Sequence, residues 1–315
     1  MAASTRPQPR RGPSGAWNRL KPAPSDPLEA YGLPSKGETR LHDHKAQETY
    51  YTRIVERYMK FCASSNGGDD LGAAFSSLSI KPTSSLARPA PQPATSQATS
   101  STRPMPPPPV RPPTLTSDPT SDLPTIILAM RKLREAILGS RRCDAFAQRA
   151  YMFIIHACIL TRSWESYQPA LQYLLRSIHP ITPLSLPEVQ EFSAYLILDL
   201  ACRQGDLQDA FVARAKWRNR DRKVGAVLNA LVQDDWVRFW RVKRAVDGYR
   251  RAILEFAAEG MRVHALKCLG RSYMAVEKGF VERSGDASWE ELVKGGVGWE
   301  LGEGDRVVIR RPKPK

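Results

Sequence analysis

Residues 188–210 read EVQEFSAYLILDLACRQGDLQDA, and the fold turns on how this stretch is taken. Phe192, Tyr195, Leu196, Leu198 and Leu200 recur at helical spacing, so the segment opens as an apolar helix. Asp206 then interrupts it. Leu207 follows at once, and Ala210 stands three residues further on. An acid in that position caps a second helix by accepting from backbone N–H groups that have no partner inside it. The stretch therefore reads as two helices folded back over a tight turn.

The same signal occurs on either side. Ser163-Trp164 with Tyr167, and Asp235-Trp236 with Phe239, repeat the pattern of a capping residue, a large apolar residue and a second apolar residue three positions on. The steps are 43 and 29 residues, too unequal for a regular tetratricopeptide array. They fit an all-α, irregular stack of TPR-like helix pairs, each burying its apolar face on its neighbour. Upstream, Ile126, Ile127, Met130, Leu133, Ile137 and Leu138 form one stripe, and Phe146, Tyr151, Ile154, Ile155, Cys158 and Ile159 a second. Tyr167, Leu171, Leu174, Leu175 and Ile178 form a third, stopped by His179-Pro180. The proline-free block ends near Tyr273. Residues 123–260 are read as the helical stack.

Beyond it, Asp286 or Ser288 caps a short helix through Trp289, Leu292 and Val293, terminated by Gly295-Gly296. Val297–Leu301 and Arg306–Arg310 read as a hairpin around Gly302-Glu303-Gly304-Asp305. Helix, helix, hairpin is the order of a winged helix with a small β-hairpin, assigned to 261–315.

Proline is unevenly distributed, with 19 of 26 before Leu123. Residues 1–44 read as a disordered arm in which Trp17, Leu20, Leu28, Tyr31 and Leu33 form a docking ribbon. Residues 45–62 are an amphipathic helix whose apolar face (Tyr50, Tyr51, Ile54, Val55, Tyr58, Phe61, Cys62) docks on the later domain, because a lone helix of this length is marginal in water. Residues 63–122 read as a disordered, Pro- and Ser-rich linker.

The net charge is +15, of which +10 belongs to residues 123–315. A basic folded half calls for an acidic partner, nucleic acid or protein. No secretory signal precedes residue 13, and no apolar run is long enough for a membrane span, so no membrane partner is expected. The five cysteines are widely spaced and read as reduced thiols. No nucleophile elbow, phosphate-binding loop or H-E-x-x-H is present, and His42 and His44 lack further ligands. No catalytic residue, metal or cofactor is assigned. His156 and His264 read as packed side chains.

Three basic clusters remain. Arg214, Lys216, Arg218, Arg220, Arg222 and Lys223 suit an acidic peptide lying across the helical stack. A second cluster runs from Arg238 to Arg251 and includes Lys243 and Arg244, and Trp217 and Trp240 between the clusters read as core wedges. Arg306, Arg310, Arg311, Lys313 and Lys315 lie on the hairpin and tail. With Lys243 and Arg244, this third set is assigned to nucleic acid by contacts that give affinity without sequence readout.

The order of parts resembles the PCI superfamily of the proteasome lid, the COP-nine signalosome and initiation factor three, and within it the GANP-type (SAC/GANP/THP) mRNA-export and processing branch. Glu191–Leu198 resembles that branch's E-F-x-A-Y-x-[IL]-L helix, and Ala226–Phe239, with Asp235-Trp236, its paired helices. Arg262, Ala265, Leu266, Leu269 and Tyr273 resemble the helix joining stack to wing. Met130–Arg134 resembles M-K-x-[IL]-R, and Arg57–Phe61 the upstream R-Y-[LM]-[KR] segment. The resemblance implies a non-enzymatic nuclear scaffold that binds RNA, pairs with a second PCI-domain protein through its winged helix, and holds a small acidic disordered subunit at Arg214–Lys223. The lid-subunit branch shares the fold, and a subunit making protein contacts only is the alternative.

Overall fold

In the computed structural model the structure describes residues 27–64 and 119–310. These form a largely helical chain with one small three-stranded antiparallel sheet near its end. Helix α1 spans His44–Ser64 and α2 Pro119–Gly139. They are followed by α3 (Ala145–Leu160), α4 (Trp164–Tyr173), α5 (Leu186–Leu198), α6 (Leu207–Lys216), α7 (Arg222–Val232), α8 (Trp236–Ala245) and α9 (Gly248–Ser272). Single π-helical turns, Leu174–Ile178 and Asp199–Arg203, extend α4 and α5. The chain ends with β1 (Ala275–Glu277), α10 (Lys278–Gly285), α11 (Trp289–Lys294), β2 (Glu300–Leu301) and β3 (Arg306–Val308).

Consecutive helices pack side by side: α1 on α2, α3 on α4, α5 on α6, and α7 on α8. The turns within the later pairs share one local solution. Arg162, Gly205 and Asp234 adopt positive φ, and the next residue begins a helix as its N-cap. Asp206 and Asp235 accept from the N–H groups of Asp209 and Arg238. Asp144, Asp221 and Asp247 do the same at α3, α7 and α9. Each such cap contributes about 1 kcal/mol. Ser163 is a correction: it occupies the N-cap of α4, but its hydroxyl makes no capping bond there. The backbone N–H of Ser163 instead closes the end of α3 on Cys158 O at 2.8 Å.

The single large core runs from Leu28 to Met261 and takes in both α1 and the stack. Tyr50, Ile54 and Tyr58 are buried, and Tyr51 and Tyr58 meet Phe153 of α3 edge-on. Arg142 ties α1 to the α2–α3 turn, contacting Glu48 at 2.6 Å and Asp144 at 2.8 Å with its guanidinium over Phe146.

The reading of 1–44 as disordered needs correcting. Residues 27–43 form a strap over α1 and α2, with Leu28 and Leu41 buried. Leu28 O accepts from Tyr50 Oη at 2.8 Å and from the buried ammonium of Lys132 at 3.2 Å. Gln47, itself fully buried, donates to Leu41 O and Ala136 O. The polar half of this anchoring runs through the backbone carbonyls of Leu28 and Leu41, which carry no sequence signal, and the apolar half rests on a few scattered side chains with no periodicity. Trp17 and Leu20 lie outside the described residues. The linker assignment is also shortened: α2 begins at Pro119, and Asp122 pairs with Arg57 of α1 at 2.6 Å. The rest of that linker, 65–118, lies outside the described residues.

Helix α9 leaves the large core and enters a second one. Leu269, Val276, Val281, Trp289, Leu292 and Val307 form this separate small cluster. The sheet order is β1-β3-β2, with Val276 opposite Val307 and Leu301 opposite Val307 on the other side. Strand β1 was missed in the sequence, and the two predicted strands are shorter than read. Ser288, not Asp286, caps α11, in a reciprocal capping box with Glu291.

Candidate nucleic-acid and partner interface

The α6–α7 turn, residues 217–221, lies in the middle of the Arg214–Lys223 cluster, and a buried amide anchors it. Asn219 is 5 % exposed and donates to Gln190 O at 2.9 Å and Ser193 Oγ at 2.8 Å, both on α5. Gln190 completes the clamp. Its side chain accepts from the Arg220 N–H at 2.8 Å and donates to Arg218 O. Asn219 also accepts from the N–H of Asp221, which caps α7. Arg218 sits at positive φ, where a residue with a Cβ is disfavoured and the clamp must hold it.

This anchoring displays Lys216, Arg218, Arg220 and Arg222 to solvent at alternate positions. None has a side-chain partner among the described residues. Two members of the predicted six do structural work instead. Arg214 lies over Gly225, where an added Cβ would stand 2.5 Å from its guanidinium, and it donates to Asn219 O. Lys223 donates to Ala245 O at the end of α8. Asp221 is paired with Arg250 at 2.7 Å, so it does not neutralise the row. Phe211, Ala215 and the arginines frame a shallow groove beside it, with Phe211 partly exposed. Trp217 is half-buried against His179 and Trp240 is fully buried.

The predicted nucleic-acid set is scattered. Lys243 is a correction: it is 9 % exposed, lies over the Trp240 ring, and pairs with Glu255 at 3.0 Å and Asp286 at 3.6 Å. Arg244 is exposed but engaged with Asp286 at 2.6 Å. These contacts form a latch on the end of α10. Trp240 Nε1 donates to Ser284 O and Arg262 Nε to Gly285 O, both at 2.8 Å, which satisfies carbonyls a helix end leaves open. Asp286, at positive φ, receives both cations. The second cluster therefore mounts the terminal module on the stack, while Arg238 and Arg241 stay exposed on α8.

Arg306 is exposed on β3 opposite Glu277 of β1, and Arg310 donates to Arg271 O at 2.6 Å. Arg311, Lys313 and Lys315 lie outside the described residues. A cleft flanks the sheet, lined by Tyr273, Phe280, Arg283, Arg306, Glu277 and Asp305. Tyr273 and Phe280 are 45 % and 36 % exposed, their rings 6.2 Å apart and nearly perpendicular. Sequence reading missed this cleft because its aromatic residues sit on either side of an unrecognised strand.

Elsewhere, His156 is buried and bonded to Glu191 at 2.8 Å, stacked among Phe192, Tyr195 and Tyr249. Burial alone would raise the Glu191 pKa, but bonds from His156 and Tyr195 outweigh it and hold the carboxyl below its ordinary value. Burial pushes the Cys62 thiol up to about 11 and those of Cys158 and Cys202 up to about 12, which keeps them uncharged at neutral pH. Among the described residues no group of three His, Cys, Asp or Glu side chains is placed to hold a metal, and no helix is long and apolar enough to cross a membrane. No family model matches the chain, and no curated protein matches its sequence.

Proposed function

We propose that this chain is a PCI-type scaffold of the GANP branch, a helical-repeat stack carrying a winged helix that assembles a nuclear complex for mRNA processing or export. It acts by binding, not by catalysis. The observation that carries the reading is the order α9-β1-α10-α11-β2-β3 with sheet order β1-β3-β2. This order matches what a winged helix would have, and the 25-residue helix α9 leads into it from the preceding helices, which supports the reading. The recurring positive-φ residue followed by an N-cap, at 162–163, 205–206 and 234–235, supports a degenerate helix-pair repeat.

In this reading the row Lys216, Arg218, Arg220 and Arg222 receives the small acidic subunit, the module pairs with a second PCI-domain protein, and Arg306 and Arg310 face RNA. Rigid display of four like charges disfavours the free protein and is compensated by a polyanionic partner. One observation favours the lid-type alternative with protein contacts only: Lys243 and Arg244 are committed to Asp286 and leave fewer cations for RNA.

Affinity isolation of the full chain from its native cells tests the choice. An RNA-processing set of co-purifying chains supports the proposal, and a proteasome-lid, signalosome or initiation-factor set selects the alternative. Reversing Arg218, Arg220 and Arg222 to Glu abolishes capture of the acidic subunit; unchanged capture removes the role assigned to that row.

A further inference from the structure

The cleft beside the terminal sheet has the composition of a nucleobase site, and we infer that it binds bases of single-stranded RNA. This deepens the RNA-binding half of the reading above. Its volume, about 590 Å³, is that of a site for a small planar group. Tyr273 and Phe280 supply its aromatic surface. Both side chains are partly exposed and meet edge to face at the cleft wall, which puts aromatic surface where a base can stack.

The polar groups around them are mixed in sign, which argues against a plain phosphate groove. Arg283 and Arg306 line the same cleft. They supply the cationic rim a backbone needs. Glu277 and Asp305 line it too. Carboxylates repel phosphate, but they accept hydrogen bonds from exocyclic amino groups, which adenine, cytosine and guanine carry and uracil lacks. Gly304, in the β2–β3 turn that lines the cleft, adopts the positive φ that glycine takes without strain. The site therefore takes amino-bearing bases in preference to uracil, by stacking and acceptor contacts, with a shallow dependence on salt.

A protein strand added to the free edge of β1 is the competing occupant. It would use the aromatic residues as an apolar flank but has no use for the two carboxylates and two arginines that line the same cleft.

Fluorescence anisotropy of the full-length protein with labelled 12-mers of cytidine and of uridine, at two salt concentrations, tests the inference. Tight binding of oligo(C) over oligo(U) is expected. Tyr273→Ala with Phe280→Ala lowers oligo(C) affinity about 10-fold or more without changing the salt slope. Glu277→Gln, a conservative surface change that keeps the fold, reduces the preference for C over U. If the aromatic double variant binds oligo(C) as wild type does, the cleft is not a base site. The inference also fails if that variant keeps RNA binding but loses a co-purifying protein, since the cleft is then a protein dock. Wild-type protein that binds neither oligomer removes this inference and the RNA half of the proposal. The scaffold reading is then judged separately by its co-purifying chains.

Discussion

The stack and the terminal module are built to different standards. The stack buries a continuous core from Leu28 to Met261, with large side chains such as Trp240, Tyr151, Tyr167, Tyr195 and Phe192 almost fully enclosed. The module has six buried apolar residues of its own. At about 1.5–3 kcal/mol for each fully buried large side chain, such a core offsets little of the chain entropy it must overcome. The module compensates with polar ties: Trp240, Lys243, Arg244 and Arg262 of the stack all reach residues 284–286 at the end of α10. The small terminal cluster thus borrows order from the large core through the end of α10.

The largest effect that breaks this comparison comes at the latch. Trp240→Ala opens a cavity in the stack and orphans Ser284 O, and it costs about 4 kcal/mol. Urea denaturation followed by hydrogen exchange is expected to show both regions weakened, the module first. Leu292→Ala sharpens the contrast from the other side. It costs about 3 kcal/mol in a core with little to spare. Protection is expected to fall across 275–309 while 145–260 keep theirs; equal loss in both would mean that the two cores unfold as one unit.

A third test concerns charge inside the stack. The folded-state pKa of Glu191 lies below its ordinary value of 4.5, so the group stabilises the fold above that pH. The contribution disappears as pH falls through the lowered value. Glu191→Gln is therefore expected to flatten the decline in stability below about pH 4.5 relative to wild type, measured by thermal melting across pH 3–6.

The smallest effects separate caps that look alike in sequence. Asp235→Ala is expected to cost about 1 kcal/mol, because its carboxylate accepts from the Arg238 N–H. Ser163→Ala is expected to stay within about 0.5 kcal/mol, because its hydroxyl caps nothing. Equal losses in paired melts would show that the caps do not differ as their geometry says.

Much of the helical architecture was legible because periodicity and capping are local. The apolar spacing in 188–200, the acid at Asp206 and the face of Tyr50, Ile54 and Tyr58 each follow from chain geometry over a few residues. The sites were less legible. Arg214 to Lys223 was visible as a cluster, but which members are displayed depends on Asn219 and Gln190, 29 residues apart and joined by bonds no pattern announces. Lys243 looks like Arg241 in sequence, and only packing on Trp240 and pairing with Asp286 take it from solvent.

By itself, then, the amino-acid order determined that this chain makes amphipathic helices, where most of them start and stop, and that its folded half is basic. Tertiary structure alone decided that 27–43 lie down as a strap, that β1 joins β3, that the second basic cluster is a latch, and that Tyr273 and Phe280 share a cleft. The physical reason is range. Helix propensity, capping and hydrophobic spacing act across about four residues, whereas burial, ion pairing and strand registry depend on distant groups that meet only once the chain is packed.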